Sequence, residues 1–262
     1  GAHHYDSEAF GIGLSEAAMM NKHQLIILEQ SYHSAHATGH TRASLAGAGT
    51  GVLVATAGTA SGAMAAGHGC SETPKPSVYG ATGHTLSVAC GRLSHLLGLT
   101  GPCLSVDTAC SATPAAMHLT CNALSLQECC SAVVCAAGLM LDAGGNVLTS
   151  VAGMLSPAGR CHTFDGRADG YSRAEGAVAA MFHAVSGNDG SDSEQTSVSM
   201  LGLAVQQDGA SASLTAPNGT SQRRLLRAVC EATGLSTQQP GSAEAHGTGT
   251  ALGDPIEVGA VA

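Results

Sequence analysis

Tryptophan is absent from this 262-residue sequence, and aromatic residues make up only 3% of it. A core with so few rings must be filled by Ala, Val, Leu and Met in close layers, as where helices pack tightly on sheets. Charge is scarce as well: 11% of residues are charged, and 10 Lys and Arg against 19 Asp and Glu leave a formal net charge of −9. With no Lys/Arg-rich run to neutralise phosphates, nucleic-acid binding is excluded as a main role. No apolar run approaches the roughly 18 residues that cross a bilayer. Ten cysteines are present, yet they form no CxxC pair and no regular framework, which argues against a structural metal and against a disulfide scaffold. They read as reduced thiols, and a cytoplasmic location is expected. Because residue 1 is Gly and not Met, organelle targeting by an upstream segment stays open. What the chain does have is 35 glycines and 44% hydrophobic residues, enough for one large domain or part of one.

The stretch VDTACSATPAAMHL, Val106 to Leu119, carries the first chemical signal. The apolar run Cys103 to Val106 reads as a buried strand that stops at Asp107, before a segment of helical composition opens around Cys110. Such a turn presents its central residue where the first helix amides lack internal partners. A thiolate is favoured there by the positive end of the helix dipole. From the local pattern alone, Cys110 reads equally as a nucleophile or as one more small buried cysteine. A second stretch, EAHGTGTALGDPIE from Glu244 to Glu257, sets His246 among glycines and threonines. It closes with Asp254, Pro255 and Glu257, which suit N-cap, N1 and N3 of a new helix.

Together these motifs resemble the β-ketoacyl synthases, specifically the ketosynthase domains of polyketide synthases. The resemblance extends through FGI at Phe10, LIILE ending at Glu29, TRASLAG from Thr41, LSPAGRCHTFDGRADGYSRAEG from Leu155 and LTAPNGTSQ from Leu214. It implies a thiolase-like α/β fold of layered α-β-α-β-α type, with two similar halves, truncated here at both ends. Residues 1–185 would form a first half lacking its opening strand, 186–197 a polar linker, and 198–262 the beginning of the second half.

The chain in order fits that outline. Residues 1–13 read as irregular, and Ser15 can cap a helix running to about residue 37. The family's usual Asp-Pro-Gln-Gln entry is here Asn21, Lys22, His23 and Gln24. His33, His36 and His40 could share a helix face, but no carboxylate completes a metal set, and no metal is expected. Gly51 to Gly58 reads as a buried strand, and the GAGTG leading into it is a weak phosphate-loop signal because it precedes the strand. Ser61 to Ser77 reads as a loop. A helix follows over 82–98, then a buried strand over Ser131 to Gly138. Residues 140–172 read mostly as loop, and Gly176 to Phe182 as a strand. Ser199 to Gly209 reads as a further strand, and 219–233 as a helix ended by Gly234. Alternating strands and helices imply a parallel or mixed sheet covered on both faces.

The resemblance further implies a decarboxylative Claisen condensation. Cys110 would take an acyl group, and His246 would donate a hydrogen bond to the thioester oxygen as a malonyl-type unit loses carbon dioxide. Thr248 and Thr250 match positions that contact the phosphopantetheine arm. No cofactor would be bound by the domain itself, since both acyl and malonyl-type thioesters ride on the phosphopantetheine of an acyl carrier protein. That acidic partner would dock on a local basic patch, of which Arg223, Arg224 and Arg227 form the densest, or those arginines line a solvated helix face. A homodimer is implied too. The family's serine run and Leu after the nucleophile are replaced by Ser111, Ala112, Thr113 and Pro114, and Pro114 is expected to shift the regular helix start toward Thr113. The second histidine, the lysine and the glycine-rich segment of the family do not occur before Ala262, so the piece alone is expected not to condense. A non-elongating transacylase, a catalytically silent interaction subunit and a nucleotide-binding domain remain the competing readings.

Overall fold

Two helices, not one, occupy the stretch expected as a single helix from Ser15 to about residue 37. Helix α1 spans Leu14–Met19 and α2 spans Lys22–Ala37, with Met20 extended between them. Asn21 causes the break: its side chain accepts the backbone N–H of His23, and its own N–H bonds to the Gly83 carbonyl. An Asn offers the chain a cap where a helix interior would leave its amide idle. The Ser15 cap is therefore corrected, since α1 opens after Gly13 without a side-chain cap. The computed structural model describes residues 5–56, 78–141, 143–184, 198–236 and 241–262. The loop expected over 61–77 and the polar linker expected over 186–197 lie outside these residues. Two compact units result, Gly1–Asp142 with Ala174–Thr196, and Ala143–Arg173 with Ser197–Ala262.

In the first unit, the short α3 (Arg42–Leu45) carries a reciprocal capping box between Thr41 and Ser44. Strand β1 (Gly51–Ala55) follows, buried at all five positions. The helix expected over 82–98 is interrupted, giving α4 (Val78–Gly83) and α5 (Leu86–Leu97), the latter closed by left-handed Gly98. Next come β2 (Cys103–Val106), α6 (Ala112–Ser125), β3 (Ser131–Gly138) and, farther along the chain, β4 (Gly176–His183). The sheet order is β2-β1-β3-β4, with β1 parallel to β2 and β3, and β4 antiparallel to β3.

Alternation along the strands sorts the core into two layers. Val52, Val54, Val133 and Cys135 pack with Ile27 and Leu28 of α2 and Leu93 and Leu97 of α5. Leu53, Ala55, Ala132 and Val134 face the other way, against Ala112, Ala116 and Ala123 of α6. Buried Arg92 ties the first layer together: it pairs with Glu16 of α1 and donates through Nε to Gln24 Oε1 of α2 at 2.9 Å. Gly101 allows the backbone to approach closely where β2 begins, since a Cβ there would lie 2.5 Å from the Thr50 carbonyl carbon.

Strand β2 is not the buried strand expected. Among the described residues it is an edge strand, paired with β1 alone, and Cys103 and Leu104 are exposed. An apolar run predicts a strand but says nothing of whether its outer edge is covered.

The second unit contains α7 (Gly144–Val151), α8 (Gly219–Thr233) and α9 (Gly253–Val261). Helix α7 interrupts the stretch 140–172, which is otherwise mostly loop as expected among its described residues: its two glycines and Asn146 disguise a helix whose Val147, Leu148 and Val151 point outward. Helix α8 has its expected bounds, opened by Asn218, whose side chain accepts two amides, and closed by left-handed Gly234. The strand expected over 199–209 is absent. A strand state requires ladder partners, none pairs with this segment among the described residues, and Leu201 and Val205 stay exposed.

Candidate active site

Cys110 lies in a one-turn 3-10 helix, Ala109–Ser111, between β2 and α6. The turn is pinned from both sides. Asp107 Oδ1 accepts the Ala109 N–H at 3.0 Å, while Ser111 Oγ donates to the Thr108 carbonyl at 2.8 Å and lies 3.0 Å from Thr108 Oγ1. Ala109 takes a left-handed φ of 53°, a conformation that costs a non-glycine residue about 1–2 kcal/mol. The result is an exposed Cys110 at the end of an edge strand. The regular helix α6 starts at Ala112, past Cys110 and one residue short of Thr113, and leaves Cys110 in the 3-10 turn before it. Pro114 falls in its first turn, where the missing N–H forfeits no bond.

The alternative of Cys110 as one more packed thiol fails on exposure. Cys90, Cys129 and Cys135 are the buried ones, and burial pushes the Cys135 thiol up to about 12. All nine described cysteines are free of disulfides.

His246, Thr248 and Thr250 lie in the second unit, on the loop that enters α9. His246 is exposed and the two threonines are half-buried, with their hydroxyl oxygens 3.3 Å apart. The sequence pattern misjudged two carboxylates here. Asp254 and Glu257 were expected at N-cap and N3, but α9 opens two residues earlier, with Leu252 at its cap. Both side chains turn back onto the loop instead. Asp254 is buried, and its Oδ1 accepts the amides of Gly249 at 3.0 Å and Thr250 at 3.2 Å, while Oδ2 accepts that of Phe164 at 2.7 Å. Glu257 accepts the amides of His246 at 2.6 Å and Gly247 at 2.8 Å. Thr163 Oγ1 donates to the Gly247 carbonyl at 2.6 Å, and a Cβ at left-handed Gly247 would meet Thr163 Cγ2 at 2.7 Å. Acidic residues just beyond a glycine-rich His loop are the signal that finds such a brace in sequence.

The other candidates resolve differently. Arg223 donates to the Gly259 carbonyl and Arg224 to Gln206 and Gln207, so two of the three arginines stitch α8 to its own unit. His36 packs beside Tyr32, and His40 stacks on His183. Among the described residues, no group of three or more His, Cys, Asp and Glu is placed to hold a metal ion, and no helix is long and apolar enough to cross a membrane.

Known proteins share this pattern. The N-terminal domain profile of beta-ketoacyl synthases matches residues 1–186, and the C-terminal domain profile matches residues 198–262. The chain belongs to the β-ketoacyl synthase family. A mycocerosic acid synthase-like polyketide synthase of Mycolicibacterium smegmatis is 35% identical over 258 residues, which are 98% of this chain and 12% of that protein. Erythronolide synthase EryA2 of Saccharopolyspora erythraea is 39% identical over 259 residues, 98% of this chain and 7% of the relative. Among solved structures, the ketosynthase from module 6 of the bacillaene synthase of Bacillus subtilis 168 superposes with a TM-score of 0.83 at 31% identity. It covers 99% of this chain and 43% of that one. This β-ketoacyl synthase chain therefore has the thiolase-like α/β fold of the ketosynthases, and it spans only a small part of its curated relatives.

Proposed function

We propose that this chain is the ketosynthase part of a polyketide synthase, an acyltransferase that builds β-ketoacyl chains. The observation that carries the reading is the exposed Cys110 in a pinned turn between β2 and α6. Its thiolate attacks the carbonyl carbon of an acyl thioester, and the carrier thiol leaves with a proton. A malonyl-type thioester then loses carbon dioxide, and the enolate carbon attacks the acyl carbon. The Cys110 thiolate departs, and a β-ketoacyl thioester remains on the carrier. His246 donates a hydrogen bond to the thioester oxygen as negative charge develops there, the kind of stabilisation that matters most where water is excluded. Thr248 and Thr250, whose short hydroxyls both donate and accept, bond the amides of the phosphopantetheine arm. The carrier is an acyl carrier protein. The exposed edge of β2 supports pairing with a second copy of the chain into a homodimer, as an uncovered strand edge invites.

The test uses the full-length protein with acyl and malonyl thioesters. Mass spectrometry reads acyl transfer to the Cys110 peptide, and labelled carbon dioxide reads decarboxylation. Cys110→Ala is expected to abolish the first, and His246→Ala to preserve the first while suppressing the second. Acyl transfer without carbon dioxide release from the parent protein would replace this reading with a non-elongating transacylase. Absence of acyl transfer would leave a catalytically silent interaction protein.

A further inference from the structure

We propose that Glu257 is a positioning residue for His246, fixing the direction of the imidazole through the backbone; this deepens the ketosynthase reading and rests on it. Glu257 stands fifth in α9, beyond the first turn where a carboxylate would complement the helix dipole. Its two oxygens instead take two consecutive amides, His246 at 2.6 Å and Gly247 at 2.8 Å. Charge-assisted bonds of this kind are shorter and about twice as strong as neutral ones. On the other side, the Gly247 carbonyl is held by Thr163 Oγ1 at 2.6 Å. The backbone at residues 246 and 247 is thus clamped from α9 and from the Thr163 loop.

The ring of His246 has no comparable support. Among the described residues no hydrogen bond or ring contact reaches its imidazole, whereas His23 is held at both ring nitrogens. With the side chain unbraced, the Cα–Cβ direction set by the clamped backbone is what aims it. A displacement of about 1 Å in a catalytic group can cost on the order of 10²-fold in rate. Asp254 plays a separate part, since its bonds go to Gly249, Thr250 and Phe164 and none goes to His246.

The decisive comparison separates the two half-reactions in the full-length protein. Glu257→Gln keeps the size of the side chain but sets an NH2 group against a backbone N–H, which opens the clamp. The expected result is acyl transfer to Cys110 within about twofold of the parent, together with carbon dioxide release from malonyl thioester lowered on the order of 10²-fold. Equal losses in both half-reactions, accompanied by a lowered melting temperature, would make Glu257 merely structural and overturn the proposal. So would unchanged rates in both. If Glu257→Gln does not fold, Glu257→Asp is read in the same two assays; it keeps both acceptors on a shorter stem, and the same split is required. His246→Ala, run in parallel, keeps the two readings apart. If that variant still decarboxylates at the parent rate, the role given to His246 fails; if it does not, the outcome at Glu257 bears on positioning alone.

Discussion

His23 Nε2 accepts the backbone N–H of Leu139 at 3.2 Å, and the tautomer is fixed by the opposite nitrogen. Nδ1 lies 2.7 Å from Asn21 Oδ1, an acceptor that also takes the His23 backbone N–H, so Nδ1 must carry the proton and Nε2 must be bare. A protonated ring would lose this acceptor and leave the Leu139 amide unpaired just after β3. Burial holds the His23 pKa below the ordinary histidine value, while Glu175, which itself accepts the Met140 amide, pulls it upward.

Because the folded-state pKa is depressed, the unfolded chain takes up a proton first, at about pH 6.5. The contribution of His23 to stability is complete above that value and is lost as pH falls through the folded-state pKa. His23→Gln, which can accept from Leu139 and donate to Asn21 without titrating, is expected to match the parent at pH 8 and to lose less stability by pH 5. Urea unfolding at the two pH values checks this. His183, depressed by burial and then by His40, titrates in the same direction, so the variant removes only part of the acid sensitivity. Parallel losses in parent and variant would show that His23 is not a source of it.

Leu93 of α5 is fully buried in the core layer it shares with Val52 and Val54 of β1 and Ile27 of α2. Leu93→Ala removes three carbons from a close-packed layer and is expected to cost about 2–5 kcal/mol, depending on how far Ile27 and Val133 collapse into the space. Denaturant unfolding measures it, and native-state amide exchange in β1 and β3 should accelerate along with it.

Much of this organisation is legible in the residues themselves. Strands β1 and β3 are continuous apolar runs and are buried as such; α8 carries its own start and stop in Asn218 and Gly234. What was not legible depends on partners distant in sequence. Nothing local tells whether Asn21 ends a helix or rides on one; the Gly83 carbonyl, 62 residues on, settles it. The run at 199–209 has strand composition, yet no ladder partner meets it among the described residues. Cys110, His246, Thr248 and Thr250 could be singled out by motif. Asp254 and Glu257 could be singled out too, but their local pattern fits a helix cap as well as a loop brace, and the returning loop decides between them.

Two glycines should respond in opposite directions to the same substitution. A Cβ at Gly101 would come within 2.5–2.7 Å of the backbone at Thr50 and Gly51, atoms that cannot move without disturbing the β1–β2 register. Gly101→Ala is therefore expected to destabilise by roughly 1–3 kcal/mol. Gly91, inside α5, has open space where its Cβ would stand. Gly91→Ala is expected to stabilise by about 0.5–1 kcal/mol through helix propensity alone. Melting temperatures moving apart would bear this out, and a shift of the same sign for both would not.

Asp254 joins two loops of the second unit through one buried carboxylate. Oδ1 is shared by the Gly249 and Thr250 amides and Oδ2 takes that of Phe164, a residue held at a left-handed φ of 56°. In Asp254→Asn, one oxygen becomes an NH2 group, so either Phe164 or the Gly249–Thr250 pair must face a donor. An orphaned amide costs up to about 1–3 kcal/mol where it is buried and less where water can reach it, as at exposed Phe164, and rotation of the Asn side chain selects the smaller loss. That loss falls at Phe164, because keeping the carbonyl at the Oδ1 position saves two bonds and forfeits one. Amide exchange is accordingly expected to rise sharply at Phe164 and modestly at Gly249 and Thr250, while β1 and β3 of the first unit remain protected. Faster exchange in β1 and β3 as well would mean that the substitution is felt through global unfolding, and the local bracing assigned to Asp254 would have to be abandoned.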